Sequence, residues 1–317
     1  LLLPFSFLFL PSLGYFCSVK REWKLRNRTL AIGKRTLVMG IINLTPDSFS
    51  EGVSPDLKAG GRWFTRKRAW DQVERMIENG VDIVDVGGES TRPGASRVSE
   101  EDEIRRTEKF LNVMILLNSS VPFSIDTTKA TVARIALKAG VEIVNDISGL
   151  RFDPEIADVV AEFDAGLILM NSRGTFETMH QQEPVKDIMA EVKKDWQRAI
   201  AKAERRGVKR DKIVLDPGIG FSKSQKQNIE LIAKLDQLIS EFPDFPILVG
   251  TSRKSFIGQM LRSAPVNKRV HGTMATVAAA VLRGAHIVRV HDVKAAVETV
   301  RVIDEIKKAA IKTSSLT

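Results

Sequence analysis

Residues 81–95 read VDIVDVGGESTRPGA. The first seven form a short apolar run that breaks at a Gly pair into hydroxyls, Arg92 and Pro93. Such a run, rich in β-branched residues and bounded by turn residues, fits a strand buried on both faces. Seven further runs share the pattern: LVMGIIN at 37–43, VPFSIDT at 121–127, VEIVNDI at 141–147, GLILMNS at 166–172, KIVLDPG at 212–218, FPILVGT at 245–251 and AHIVRVH at 285–291. Between most of them lie helix-length stretches of helical apolar periodicity, at 66–79, 100–117, 185–206 and 228–241. Gly80, Gly140, Gly207 and Gly284 follow such stretches and suit left-handed helix ends. Strands that alternate with helices in this way are parallel and covered on both sides. Eight units imply an α/β fold closed as a (β/α)8 TIM barrel. An open doubly wound sheet is the competing arrangement.

The runs carry chemistry where they end. The first ends at Asn43, the second holds Asp85, the third ends near Asp126, and the fourth contains Asn145 and Asp146. Asp216 closes the sixth, and the eighth contains Arg289 and His291. In a barrel the carboxyl ends of all strands meet on one face. Asp is rarely buried without a partner. Asp146 alone reads as a helix-capping residue, but so many strand ends with Asn or Asp read as a binding pocket. Carboxylates accept from the N–H groups of a flat heterocycle, and amides both donate and accept. Asp126, Asn145 and Asp216 fit that cluster, with Lys254 as a donor to a ring carbonyl or nitrogen. Cations and hydroxyls in GGESTRPGA (87–95) and GTSRKSFIG (250–258), with Arg289 and His291, suit an anion. Arg253 is open to a second reading, as the structural partner of a carboxylate.

Of the 317 residues, 43% are hydrophobic and 27% charged, which excludes a disordered or collagen-like chain. Cys17 is the single cysteine, so an internal disulfide and a thiolate zinc site are excluded. It lies outside the barrel pattern and is a poor nucleophile. His180, His271, His286 and His291 show no metal-ligand spacing. The net charge of +9 suits a small anionic substrate as well as nucleic acid. Nucleic-acid binding needs a basic face with stacking aromatics, and aromatics are 6%; no nucleic-acid partner is expected. Residues 1–13, LLLPFSFLFLPSL, are apolar and broken by Pro4 and Pro11. They fall short of the roughly 20 residues of a membrane span, and their charge follows the run rather than preceding it as in a signal peptide. No transmembrane segment is expected, and the expected location is the cytoplasm. A dispensable or mis-set start, a targeting or membrane-contact element and core packing all stay open for this stretch. The chain does not begin with Met, which leaves room for residues upstream. Residues 1–22 are taken as an extension and 23–317 as the barrel domain, opened by a hairpin that turns at Gly33.

The motifs MGIINLTPDSFSEG (39–52), VDIVDVGGESTRPGA (81–95), PFSIDTTKA (122–130), EIVNDISG (142–149), DPGIGFSK (216–223), VGTSRKSFIG (249–258) and IVRVHDV (287–293) stand in order. Over residues 25–308 the chain resembles the dihydropteroate synthases, the sulfonamide targets of folate biosynthesis. The resemblance implies a (β/α)8 barrel, usually dimeric, hence a homodimer here. It implies a transferase that condenses 4-aminobenzoate with (7,8-dihydropterin-6-yl)methyl diphosphate, giving 7,8-dihydropteroate and diphosphate with Mg2+. The family's pterin-binding positions match Asp85, Asp126, Asn145, Met170, Asp216 and Lys254. Its diphosphate positions match Asn43, Arg289 and His291, and its metal contact matches Asn43. Phe49, Thr91, Arg92, Pro93, Phe221 and Ser252 match the aminobenzoate region and its loops. Asp126, Lys254 and Arg289 are the expected catalytic residues.

Two departures stand out. The family usually has LMH after the fifth strand, and Asn171 stands where that His would be. The first loop reads SFSEG where SFSDG is commoner, and it runs into a basic tract, with five cations against two acids over 61–75. A methyltetrahydrofolate–corrinoid methyltransferase shares the barrel and the pterin pocket but has no need of the SRKSFIG and VRVH elements. A catalytically silent pterin binder would have lost Asn43, Arg289 or the Thr91–Arg92 pair.

Overall fold

A computed structural model of the chain describes residues 21–45, 61–116 and 120–314. Residues 1–13, Cys17 and Phe49 lie outside that range. All eight apolar runs are strands: β3 (Leu37–Asn43), β4 (Ile83–Gly87), β5 (Phe123–Asp126), β6 (Ile143–Asp146), β7 (Gly166–Met170), β8 (Ile213–Asp216), β9 (Leu248–Val249) and β10 (Ile287–Val290). They pair in parallel in the order β8-β7-β6-β5-β4-β3-β10-β9. A parallel bridge between Leu215 and Ile247, with the Leu215 N–H on the Pro246 carbonyl at 3.0 Å, joins β8 to the entry of β9 and closes the barrel. The helices are α1 (Gly61–Glu78), α2 (Glu100–Leu116), α3 (Ala130–Ala139), α4 (Ile156–Glu162), α5 (Ile188–Arg205), α6 (Gln225–Ala233), α7 (Leu235–Glu241), α8 (Ser255–Met260), α9 (Val270–Leu282) and α10 (Val293–Ser314). None of the described helices is long and apolar enough to cross a membrane.

Burial on two sides explains the continuous apolar runs. One side faces the helices, where Val38, Ile42, Val84, Val86 and Ile125 join a core with Leu137, Val192 and Val281. The other side fills the barrel interior with Met39, Ile83, Ile143, Ile168, Val214 and Ile287. The amino-terminal hairpin, β1 (Arg21–Lys24) and β2 (Thr29–Ile32), adds Trp23, Leu25 and Ile32 to that interior layer. Trp23 is fully buried and its indole N–H donates to the Lys212 carbonyl at 2.8 Å. The hairpin therefore plugs the barrel. Truncating such a residue to Ala costs about 3–5 kcal/mol.

Gly80, Gly140, Gly207 and Gly284 all have positive φ at helix ends, as expected. Two boundaries differ from the sequence reading. The hairpin turns at residues 25–28, with Lys24 opposite Thr29, and Gly33 lies beyond β2. The turn is set by tertiary contacts: Leu25 is buried, and the Asn27 N–H reaches Glu142 at 3.3 Å. Its first strand opens at Arg21, two residues inside the stretch assigned to the extension. The helical stretch at 228–241 is two helices that meet at Lys234, which keeps Leu231, Ile232, Leu235 and Leu238 all buried.

Candidate active site

The register of the sheet assembles the rim of a pocket. Asn43 pairs with Gly87, Gly87 with Asp126, and Asp126 with Asn145. Four neighbouring strands thus end level at the carboxyl face, where side chains of one layer point inward. Further round, Met170 pairs with Asp216. A cavity of about 260 Å3 opens there, and Asn43, Thr91, Arg92, Pro93, Asp126, Asn145, Met170, Asp216, Phe221, Ser252, Lys254, Arg289 and His291 all line it. The expected residues from both ends of the chain therefore meet around one opening.

Asp85 is the exception. It lies two residues back from Gly87 on the same face of β4, fully buried beneath the cavity. Its Oδ2 accepts from the Asn145 amide at 3.0 Å and from Arg289 Nε at 2.7 Å. Arg289 Nη2 also reaches Asp126 Oδ2 at 2.5 Å. Asp85 is thus the support that aims an amide and a guanidinium at the opening. Its Oδ1 is buried without a partner among the described residues.

Burial and charge tune these groups. Burial pushes Asp126 up to about 7, against the pull of Arg289, and the neighbouring Asp85 adds to the rise. Burial also disfavours the Arg289 cation, but Asp85 and Asp126 outweigh it and hold the charge on. Asp216 is raised by burial while its Oδ1 accepts the Gly218 N–H at 2.7 Å. Burial, and then Arg289, bring Lys254 down to about 8. The Lys254 ammonium stands 4.0 Å from the centre of the Phe221 ring, a cation–π contact. His180 stacks on Phe221 at 5.3 Å between centroids. His180 Nε2 lies 2.7 Å from the Thr91 carbonyl. The carbonyl only accepts, so Nε2 carries the proton. Burial and Arg253 push His291 down to about 3, so it is neutral. Its backbone N–H donates to Ser252 Oγ at 3.1 Å and its Nδ1 lies 2.9 Å from the same oxygen. Ser252 Oγ thus holds both the backbone and the ring of His291 in place.

Two residues take the structural reading. Arg253 forks onto Asp292, with Nε at 3.0 Å and Nη2 at 2.6 Å. Asp146 accepts the N–H groups of Ser148 at 2.8 Å and Leu150 at 2.6 Å, and so shapes its own loop.

Known proteins share this arrangement. The family profile described as pterin binding enzyme matches residues 39–291. A dihydropteroate synthase of Synechocystis sp. is 45% identical over 272 residues, covering 86% of this chain and 90% of that protein. The crystal structure of the Clostridium difficile dihydropteroate synthase in the presence of pteroic acid superposes with a TM-score of 0.78 at 42% identity, over 87% of this chain and 98% of that one. The Xanthomonas albilineans dihydropteroate synthase with 4-aminobenzoic acid gives 0.81 at 35% identity, over 91% and 98%. The chain belongs to the dihydropteroate synthase family. Within that family Asn171 is a departure that the structure accounts for. Its amide donates to Asp195 Oδ2 at 2.9 Å and accepts from Lys223 Nζ at 2.8 Å. A neutral imidazole likewise offers one donor and one acceptor. Asn171 and Trp196 both donate to the Asp216 carbonyl, at 2.9 and 3.1 Å. The network therefore fixes the backbone of a pocket residue. A Cβ on Gly218, at φ 68°, would fall 2.0 Å from the Asn171 carbonyl oxygen, so the DPG turn requires glycine.

His180 and Glu89 also line the cavity, and Lys223 supports it from behind through Asn171, although no sequence pattern marks the three. His180 stands in a loop without periodicity, and Glu89 and Lys223 lie inside motifs whose pattern is carried by hydroxyls and glycines. Among the described residues, no three His, Cys, Asp or Glu side chains converge on a metal position. The hard amide oxygen of Asn43 at the cavity rim fits a metal that takes most of its ligands from water and substrate phosphate, as magnesium does.

Proposed function

We infer that the protein joins 4-aminobenzoate to (7,8-dihydropterin-6-yl)methyl diphosphate and releases diphosphate and 7,8-dihydropteroate. One observation carries the reading: the carboxylate and amide face of Asp126, Asn145 and Asp216 shares a single cavity with the cations Arg289 and Lys254 and the loop of Thr91, Arg92 and Pro93. Asp216 and Asn145 take the donor edge of the pterin ring, and Lys254 donates to its carbonyl or ring nitrogen. Met170 packs against the ring. Arg289 binds the diphosphate. Its Nε and Nη2 are engaged by Asp85 and Asp126, and Nη1 is the nitrogen left for a phosphate oxygen among the described contacts. His291, neutral, adds its Nε2–H to the same anion in the tautomer whose Nδ1 accepts from Ser252.

The methylene carbon of the pterin becomes cationic as its bond to the diphosphate oxygen breaks. The electron pair leaves with the diphosphate. Asp126 as the carboxylate faces that developing charge, and Arg289 neutralises the leaving group. The aromatic amine of 4-aminobenzoate then attacks the carbon and loses its proton. It needs placement more than activation. Thr91, Arg92, Pro93, Phe221 and Ser252 are proposed to provide that placement, with Phe221 as the apolar wall. Asn43 would hold Mg2+, which when bound neutralises diphosphate charge; calorimetry should detect magnesium only with the diphosphate present, and Asn43→Ala should abolish that dependence. A homodimer belongs to the same reading, since Leu261, Leu282, Val302 and Ile306 of α9, α10 and the preceding loop are exposed apolar residues that a second copy would cover. Light scattering on the eluting protein tests it.

The deciding experiment is incubation of the purified protein with both substrates, with and without Mg2+. Dihydropteroate and diphosphate should appear in equal amounts. Absence of both from folded protein overturns the function.

A further inference from the structure

At the base of the loop that carries Thr91, Arg92 and Pro93 lies a buried ion cluster, of whose members Glu89 reaches the cavity wall while Lys129 and Glu103 stand behind it. The Lys129 ammonium bonds Glu89 Oε2 at 3.0 Å and Glu103 Oε2 at 2.5 Å. Their relative exposures are 5%, 7% and 0%. Glu89 is also tied across the loop, because its Oε1 accepts the Val98 N–H at 2.5 Å. One carboxylate therefore pins both ends of the segment 90–97. The base is closed further by Arg106 Nη1 on the Gly88 carbonyl at 2.8 Å. Gly88 itself admits no side chain: a Cβ there would lie 2.8 Å from Thr107 and 2.9 Å from Glu103.

Lys129 reaches this place from the strand that ends in Asp126. It occupies the position before α3, where its side chain makes no helix-capping bond. It thus ties β5, with its proposed catalytic carboxylate, to the loop on the neighbouring strand. Charge clusters of this kind are a poor way to gain stability, because burying the ions costs several kcal/mol and apolar residues of equal volume do as well. Their worth lies in fixing geometry. Here the geometry that they fix is that of the loop carrying Thr91, two residues beyond Glu89.

We propose that Lys129 is a positioning residue for the second substrate: through Glu89 it latches the base of the 87–99 loop, and so sets the aminobenzoate subsite against Asp126. The inference rests on the function proposed above. Loss of the latch weakens 4-aminobenzoate capture and leaves the pterin site, built on other strand ends, intact.

The test uses the whole chain with three variants. Lys129→Met breaks the latch, Lys129→Arg keeps the cation, and Glu89→Leu removes the latch while Lys129 stays paired with Glu103. Lys129→Met and Glu89→Leu should raise KM for 4-aminobenzoate about tenfold and KM for the pterin diphosphate by less than about twofold. Lys129→Arg should recover most of the difference. Amide exchange at Val98 should speed up in both latch-breaking variants. If Lys129→Met does not fold, Glu89→Leu decides. Equal movement of both KM values, or a fall in melting temperature with both unchanged, overturns the proposal. If the wild type makes no dihydropteroate, the function falls instead, and Val98 exchange still decides the latch: unchanged exchange in Glu89→Leu refutes it whatever the activity.

Discussion

The two halves of the cavity are held in different ways. The half made by Asp126, Asn145, Asp216 and Arg289 stands on strand ends, fixed by register and by Asp85 beneath. The half made by Thr91, Arg92 and Pro93 stands on a loop, touched by His180 at one carbonyl and pinned at its base by Glu89. Strand placement is cooperative with the whole sheet, whereas loop placement depends on single side-chain bonds. Damage to the first half should therefore cost both fold and rate. Damage to the second half should cost substrate capture alone.

The sharpest division comes from Arg289→Ala. It removes the proposed transition-state cation and leaves Asp85 and Asp126 buried without their partner. The rate should fall about 10²–10³-fold, and denaturant melts should show a loss of about 3–5 kcal/mol. Unchanged stability would break the argument that Asp85 and Arg289 form one structural unit. Lys254→Ala comes next, with a large fall in turnover and a small change in melting, because Lys254 contacts Phe221 rather than a buried carboxylate.

A pH profile probes Asp126 of the strand-held half together with Lys254, which stands before α8, without mutation. Asp126, raised to about 7, gains its negative charge as pH rises through that value. Lys254, lowered to about 8, loses its positive charge above that value. The kcat/KM should therefore climb through the first and fall beyond the second. A flat profile from pH 6 to 9 would remove either Asp126 as the charge stabiliser or Lys254 as the donor.

The loop half is probed by His180. Phe in its place keeps the ring against Phe221 and loses the N–H to Thr91, and Gln does the reverse. His180→Phe should raise KM for 4-aminobenzoate a few-fold, consistent with one hydrogen bond of about 1 kcal/mol. The pterin KM should not move. The smallest effect is expected from Asn171→His. A neutral imidazole meets Asp195 and Lys223 with the same donor and acceptor, so stability and rate should stay within about twofold of wild type.

Much of the strand-held half was legible because its residues are tied to a strong pattern. Asp126, Asn145 and Asp216 end apolar runs, and strand ends in a barrel share one face whatever their distance along the chain. The loop half was legible only where it resembled a known motif. Nothing periodic marks His180. Lys129 reads as one lysine in DTTKA until burial sets it against Glu89 and Glu103. Asp85 is a pterin position only by resemblance, and the register sets it one layer below the rim, where Asn145 and Arg289 bond it.

By itself, then, the order of amino acids determined eight strands, most of the helices between them and the polar groups at the strand ends, with the barrel favoured over an open sheet. Those follow from local periodicity and from hydrophobic burial, which any short window of sequence displays. Tertiary structure decided which carboxylates reach the cavity and which lie wholly beneath it: Asp126, Asp216 and Glu89 line the opening, while Asp85 and Glu103 are buried against Arg289 and Lys129. That choice depends on desolvation and on distances between residues far apart in the chain, neither of which a local stretch encodes.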